Sequence, residues 1–306
     1  MKKSRYAFPV SLCLMVSCFM LPLYGLPQLA AGQVQINLDW VRQESESTIN
    51  FSGAYNFTTD HFYVSLFSDS ESPVHILNGN TGEDLESGLS IEGVTLGTLN
   101  IFGICVDENG VIYGGTNTEP VYSLIRWENE TSTPTQQIIP EMGLPRTMDI
   151  KNGGTESLIA VTGTKDNDGA RVLETTDGKY FNVASETSYN LGKHGIALSK
   201  TGNTLFLTQA FEGTGNLFSK ANKTIDTWEK DNDFKPTLSD LYVPSPLGYW
   251  DEANVVFCIS TYETTDHLFA LDGNTGAIIG DLNLGVDVGR YGYGAIDLLA
   301  DENGGK

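Results

Sequence analysis

The chain has 306 residues, with 18 Lys+Arg against 39 Asp+Glu, a formal net charge of −21 and 40% hydrophobic residues. That length holds one large domain or two ordinary ones, with enough apolar content for a sizeable core. So acidic a surface repels nucleic acid and anionic membranes, and four cysteines are too few for a disulfide-built fold.

Residues 1–31 read as a secretory signal peptide. Lys2, Lys3 and Arg5 form a basic start, Ala7 to Leu26 is almost continuously apolar, and Leu29-Ala30-Ala31 is a small-residue cleavage site. Pro9, Pro22 and Pro27 interrupt the run, which argues against a membrane span. Lipid attachment at Cys18 is the other reading, and the apolar run continuing past Cys18 fits it poorly. Cleavage removes three bases and no acids, so the net charge of the mature domain, residues 32–306, becomes −24. The expected location is extracellular or periplasmic. Of the cysteines, Cys105 and Cys258 remain, in non-adjacent repeat units, and are expected as buried free thiols.

After Val34–Arg42, which alternates as one strand, the chain falls into units of about fifty residues. The landmark is a turn between two strands. It recurs at Thr59-Asp60, Asn109-Gly110, Asn152-Gly153, Gly202-Asn203, Ala253-Asn254 and Asn303-Gly304. An apolar second strand follows each of the first five, starting near Phe62, Val111, Ser157, Thr204 and Val255. Third strands are PVHILN, VYSLIRW, ARVLET, NLFSK and HLFAL. Fourth strands are expected at Leu85–Ile91, Thr135–Ile139, Phe181–Ala184, Ile225–Trp228 and Ala277–Leu284. Four short antiparallel strands at this period are the signature of a β-propeller blade. The expectation is an all-β propeller of five complete four-stranded blades and a partial sixth. Only the inner strand of the sixth is present, in GAIDLLADENGG, and Val34–Arg42 is placed to supply that blade's outermost strand; the chain reads either as a truncated six-bladed ring, the preferred expectation, or as a five-bladed ring with an added strand.

One hairpin phrase occurs twice, as VHILNGNTGEDL (74–85) and HLFALDGNTGAIIGDLNL (267–284). The second copy resembles the blade motif of quinoprotein-type propellers through Ala270, Leu271, Asp272, Thr275 and Gly276. The Trp that follows the Thr-Gly turn in that family is absent here, and Gly280-Asp281 stands near its place. The resemblance therefore implies the fold and no quinone cofactor. Across residues 36–306 the chain also resembles secreted bacterial propellers of unknown function. The shared stretches are LDWVRQ, VLETTDGKYF and GYGAIDLLADE.

Motifs for nucleophilic, zinc-dependent or phosphate-binding chemistry are absent from the sequence. Asp166 and Asp168 alternate oxygens on a loop and mark the one candidate for Ca²⁺, short of the ligands that an EF-hand supplies. His75 and His267 start equivalent third strands and read as products of the repeat. Asn50, Asn56, Asn129 and Asn222 head glycosylation sequons.

Overlaying the repeats brings together the residues just before each inner strand: Phe51, Phe102, Arg146, His194, Ser245 and Tyr293. Lys193, Tyr249, Trp250, Arg290 and Tyr291 are their neighbours. The expected ligand site is therefore Arg146, Lys193, His194, Tyr249, Arg290, Tyr291 and Tyr293 at the channel mouth. Aromatic rings and Arg forks there suit a glycan or an anionic small ligand. The bland alternative has the two phenylalanines plugging the channel and the bases balancing nearby acids. Two functional readings stay open. The first is a monomeric binding or scaffold module, for such a ligand or for another protein. The second is a polysaccharide lyase or hydrolase using the same mouth, with His194, Arg146 and Tyr293 as its acid–base groups.

Overall fold

The computed structural model describes residues 14–18, 36–41, 50–66, 72–85, 87–97, 100–117, 121–140, 147–162, 169–187, 195–209, 217–225, 227–236, 247–262 and 265–285. Their regular structure is β throughout, apart from one short 3-10 turn at Gly154–Glu156. Strands β1 (Leu14–Cys18) and β2 (Ile36–Val41) pair antiparallel with each other. Five antiparallel meanders follow. The first is β3 (Asn50–Asn56), β4 (His61–Leu66) and β5 (Val74–Asn78). The second is β6 (Gly103–Val106), β7 (Ile112–Asn117), β8 (Tyr122–Trp127) and β9 (Thr135–Ile139). The third is β10 (Met148–Lys151), β11 (Leu158–Thr162), β12 (Ala170–Thr175) and β13 (Phe181–Glu186). The fourth is β14 (Gly195–Leu198), β15 (Thr204–Gln209), β16 (Leu217–Thr224) and β17 (Thr227–Lys230). The fifth is β18 (Leu247–Trp250), β19 (Val255–Tyr262), β20 (Thr265–Asp272) and β21 (Ile278–Asn283).

The inner strands lie side by side in chain order, β3 by β6, β6 by β10, β10 by β14 and β14 by β18. This is the β-propeller that the fifty-residue rhythm predicts, with four blades of four strands and a first blade of three. The predicted inner strand of the sixth blade and its Asn303-Gly304 turn lie outside the described residues. Strand β2 falls within the predicted Val34–Arg42 and runs beside β21.

Two predicted strands need correction. Leu85–Ile91 forms no regular fourth strand. An isolated bridge, Leu77 to Asp84, precedes it, and the segment itself touches β5 through Leu85 N–H to Ile76 O (2.8 Å) and Leu89 N–H to Val74 O (3.1 Å). The ladder is irregular there, since the four steps from Leu85 to Leu89 span only the two from Ile76 to Val74, and Gly88 lies so close to β5 that a Cβ would stand 2.6 Å from Val74 O. In the fourth blade Ile225 sits in the turn with φ +48°, and the outer strand starts at Thr227.

The core lies between blades, as a sheet with two apolar faces requires. Ala54, Tyr63 and Ile76 of the first blade pack on Ile104, Ile112 and Trp127 of the second. Tyr113 meets Phe181 edge-on across the next gap (5.6 Å). Phe206 stacks at a tilt on Tyr249 across the last (4.8 Å). The outward faces of the first and fifth blades are apolar and buried too, at Val64 and Leu77 and at Val255 and Phe257. Cys105 and Cys258 are buried thiols outside any disulfide, as expected, and burial pushes the Cys258 thiol pKa up.

Outer strands are stapled by two consecutive glutamines. Alternation along β9 sends their side chains to opposite faces. Gln136 pairs its amide with both backbone groups of Thr95 (2.9 and 2.8 Å), and Gln137 does the same with Phe181 (2.8 and 2.7 Å). Each mimics a strand-pairing peptide group towards a neighbouring blade.

Candidate functional site

Antiparallel meanders put two kinds of connection on opposite faces. Inner-to-second and third-to-outer turns share one face, here the turn face. Second-to-third loops and the loops leading to the next inner strand share the other, the mouth face.

Of the predicted mouth residues, Arg146, Lys193, His194, Arg290, Tyr291 and Tyr293 lie outside the described residues, as do Asp166 and Asp168. Tyr249 is described, and it does not join them. An inner strand is only four residues long, so Tyr249 stands at the turn-face end of β18. Its ring is in the core, its hydroxyl donates to Asn254 Oδ1 (2.9 Å), and burial with Asp251 and Glu252 nearby pushes its pKa up to about 12. Phe102 is likewise a core residue between blades, tilted on Tyr122, so it does not plug the channel.

What the described residues show of the mouth is its floor. Second strands carry a buried hydroxyl at equivalent places: Ser65, Thr116, Thr162 and Thr208. Ser65 donates to Ser52 O (3.2 Å), Thr116 donates to Asn100 O, and Thr162 Oγ1 accepts from Thr147 N–H (3.2 Å). These hooks tie the start of the first three inner strands to their own blades. Thr208 has the same place beside Gly195, yet its Oγ1 is buried without a hydrogen-bond partner. The recurrence of Ser or Thr late in each second strand was a readable signal for these hooks.

On the turn face a belt of polar contacts joins all five blades. Asn56 Nδ2 donates to Gly110 O (3.1 Å), Glu108 N–H to Asn152 O (3.1 Å), Asn152 Nδ2 to Lys200 O (3.0 Å) and Lys200 N–H to Asp251 Oδ1 (2.9 Å). Asp107, 1% exposed, accepts from Asn109 N–H (2.9 Å) and Val111 N–H (3.0 Å) in its own blade. It also accepts from Gly154 N–H and Ser157 Oγ (both 3.4 Å) in the next. Asp149 Oδ2 accepts from Leu198 N–H (2.7 Å). Two lysines cross between non-adjacent blades. Lys200 Nζ lies 3.2 Å from Glu108 and 3.0 Å from Glu252. Lys151 Nζ lies 3.5 Å from Asp149 and donates to Tyr249 O at 3.3 Å.

Burial raises the carboxyl pKa of Asp149, against Lys151 and the Leu198 N–H, which lower it. Burial raises that of Asp251 too, against Lys200 N–H and Lys151. Glu252 goes the other way: burial alone would raise it, but its backbone N–H and Lys200 together hold it low. The sign of the pH dependence follows. A carboxyl raised on folding binds its proton more tightly in the folded chain, so it contributes stability at low pH that is lost as pH rises through the folded value. A lowered one contributes above the ordinary carboxyl value, and that contribution is lost on acidification. Asp149 and Asp251 are therefore expected to add to the melting temperature as pH falls towards the ordinary carboxyl range, and the Glu252 contribution is expected to be lost on acidification below it. Asp149→Asn should remove part of that gain, as measured by thermal unfolding across pH.

The three described histidines also sit on carboxylates. His61 Nδ1 is 2.7 Å from Glu130 Oε1, which also accepts from Tyr63 (2.7 Å) and so links blades one and two. His75 pairs with Asp84 and His267 with Asp281. In both, the acid belongs to the outer segment of the same blade, but the two histidines do not share one repeat position: with Gly79 matched to Gly273, His75 falls at Phe269, two residues after His267. The Asn56 amide of one sequon is buried in the belt. Among the described residues no group of three or more His, Cys, Asp or Glu side chains is placed to hold a metal ion, and no helix is long and apolar enough to cross a membrane.

No family model matches the chain, and no curated protein matches it. Solved structures do. One is a chain of a nidogen/laminin complex, 12% identical over 88% of this chain and 92% of that chain, with a TM-score of 0.54. Another is a gluconolactonase from Xanthomonas campestris, 13% identical over 97% and 93%, with a TM-score of 0.52. A third is a PQQ-bound aldose sugar dehydrogenase from Streptomyces coelicolor, 15% identical over 95% and 90%, with a TM-score of 0.50. At such identities the likeness shows the shared propeller fold alone.

Proposed function

We propose that this chain is a secreted β-propeller that works as a binding or scaffold module and takes its ligand on the mouth face. The observation that carries the reading is the division of labour between the faces. On the turn face Lys151, Lys200, Asp107, Glu108, Asp149, Asp251 and Glu252 are engaged with other blades. At the other end the repeat in the sequence sets cationic and aromatic residues beside the starts of inner strands, Arg146, Lys193, His194, Arg290, Tyr291 and Tyr293, and this reading assigns them to an outside partner. In so acidic a chain that set favours a glycan or anionic ligand, held by Arg forks and ring faces on loops of a rigid scaffold.

We assign no quinone to the chain. Asp272, which carries much of the quinoprotein resemblance, uses its Oδ1 inside its own turn, accepting from Asn274 N–H (3.0 Å) and from Thr275 N–H and Oγ1 (2.8 and 2.9 Å).

The test is a thermal-shift screen of the purified chain against acidic and neutral oligosaccharides. A ligand at one hundred times its Kd should stabilise by about 2.7 kcal/mol, read as a rise of several degrees in Tm. A rise with acidic sugars and no new sugar products supports a binding module. Release of unsaturated or shortened sugars makes the chain the polysaccharide-active enzyme of the second reading. No shift with any sugar removes the glycan and leaves a protein partner.

A further inference from the structure

The outer strand of the fourth blade differs from its neighbours in what meets its edge. On β13, Phe181 bonds the Gln137 amide of the second blade through both its backbone groups, and β21 has β2 beside it. No described group bonds the edge of β17. Its register fixes which groups that edge offers. Asp231 N–H donates to Lys220 O (2.8 Å), so Lys220 and Asp231 are a hydrogen-bonded pair of the β16–β17 ladder. Such pairs alternate with open ones, which makes Asn222 with Glu229 bonded and leaves Lys223 with Trp228, and Ala221 with Lys230, open. The N–H and C=O groups of Trp228 and Lys230 therefore point outward, along the free edge. Their side chains share one side of the blade. Trp228 and Ala221 pack in the core between the third and fourth blades. Lys223 stands opposite Trp228 and Lys230 opposite Ala221, so both lysines lie on that side. Neither makes an ion pair among the described residues, whereas Lys151, Lys200 and Lys220 each do. Glu174 alternates with Val172 onto the facing side of the third blade and pairs with neither. Trp228 is 3% exposed, and its Nε1–H has no acceptor among the described residues.

We propose that the edge of β17 is a docking strand for an extended acidic segment of a partner protein, which joins the fourth blade as a fifth strand. Main-chain bonds to Trp228 and Lys230 supply the pairing, as in other strand additions. A guest side chain beside Trp228 falls on the face that holds the two lysines, with Lys230 next to it and Lys223 one strand behind. Charge chooses the guest. Two unpaired ammonium groups suit carboxylates on alternate residues, and they repel a basic segment. The acids next in sequence, Glu229 and Asp231, project to the other face, where Asp231 holds Lys220 (3.2 Å). Beyond about 8 Å the rest of the acidic surface is screened at physiological ionic strength, so the local lysines decide. The open indole N–H lies on the same side and adds a donor for an acceptor group. The docking is independent of whatever the mouth face takes.

The test is fluorescence anisotropy of a labelled peptide alternating glutamate with valine, titrated with the full chain, with amide hydrogen exchange of the complex read by NMR. The expected result is saturable binding that weakens with added salt, with slowed exchange at the Trp228 and Lys230 N–H groups. A peptide with lysine in place of glutamate should not bind. One with proline at alternate positions should not bind either, because it cannot donate to the edge. Lys223→Glu and Lys230→Glu should each weaken binding about tenfold or more. Lys179→Glu, at an exposed lysine of the third blade, should leave it unchanged. The exchange measurement on the wild type carries the result if a variant fails to fold. No binding, equal binding of the lysine peptide, or binding that leaves both N–H groups exchanging as before overturns the proposal. Binding of oligogalacturonate at the two lysines in place of the peptide overturns it too, and makes the edge an anion site for sugars.

Discussion

Asp107→Ala is expected to lower stability by about 3–4 kcal/mol, the largest loss for any single polar group of the turn face. The carboxylate accepts four hydrogen bonds, two within its own blade and two from the next, and it is 1% exposed. Truncation leaves the N–H groups of Asn109 and Val111 without their acceptor. A donor stranded away from water costs about 1–3 kcal/mol, more than the net worth of the bond it made. It also unties Gly154 and Ser157, so the third blade loses a link to the second. For a domain of this size the fall in Tm should be about 10 °C. Asp107→Asn keeps the shape and the Oδ1 acceptor, and should recover roughly half of the loss. Thermal and urea unfolding read both variants. A loss below about 1 kcal/mol for the alanine would mean that water replaces the carboxylate and that the belt is not a closed contact.

The second large effect is expected at a glycine. In the fifth blade the third-to-outer turn, Asp272 to Gly276, lies on the inner-to-second turn, where Asn254 has φ +52°. Gly273 N–H donates to Asn254 O at 2.8 Å, and a Cβ on Gly273 would stand 2.8 Å from that oxygen and 2.3 Å from Asn254 Oδ1. Gly273→Ala should therefore cost about 2–3 kcal/mol by overpacking. It should also loosen the bond from the Tyr249 hydroxyl to Asn254. The first blade repeats the device. Gly79 N–H donates to Asp60 O (2.8 Å), a Cβ there would stand 2.4 Å from that oxygen, Asp60 has φ +58°, and the Tyr55 hydroxyl donates to Asp60 Oδ1. Gly79→Ala should match Gly273→Ala within about 0.5 kcal/mol, because the two turns are one structure used twice. Unequal losses, or an alanine tolerated at either place, would contradict that equivalence.

The parts of the fold that were legible in the sequence are those built from neighbouring residues. Turn residues at Asn109-Gly110 and Asn152-Gly153, and apolar runs such as VVFCIS, declare a local conformation, so most strands fall within a residue or two of their expected places. Leu85–Ile91 failed because its pairing with β5 is irregular, four residue steps against two between the bonds to Ile76 and Val74, and no local pattern records that. The belt was not legible for a similar reason. Asn56 meets Gly110, and Lys200 meets both Glu108 and Glu252, across one or more blades. In a chain with 39 acids, a pairing at such separations has no sequence mark. A partial signal did exist, since Asn56 and Asp107 each open an inner-to-second turn by capping a backbone N–H two residues on. Tyr249 was drawn into the mouth set by its nearness in sequence to the loop. A four-residue strand was enough to carry it to the opposite face.

The measurement that tests the account most directly compares the two faces in one ligand titration. Arg146→Ala and His194→Ala remove residues that the proposal assigns to the mouth face, and Lys200→Ala alters the turn face. With the oligosaccharide that stabilises the wild type, the account predicts that both mouth variants keep the unliganded Tm and lose the ligand-induced rise. It predicts that Lys200→Ala lowers the unliganded Tm and keeps the rise. Retention of the rise in both mouth variants, with its loss in Lys200→Ala, would place the ligand on the turn face and contradict the division of labour proposed for this propeller.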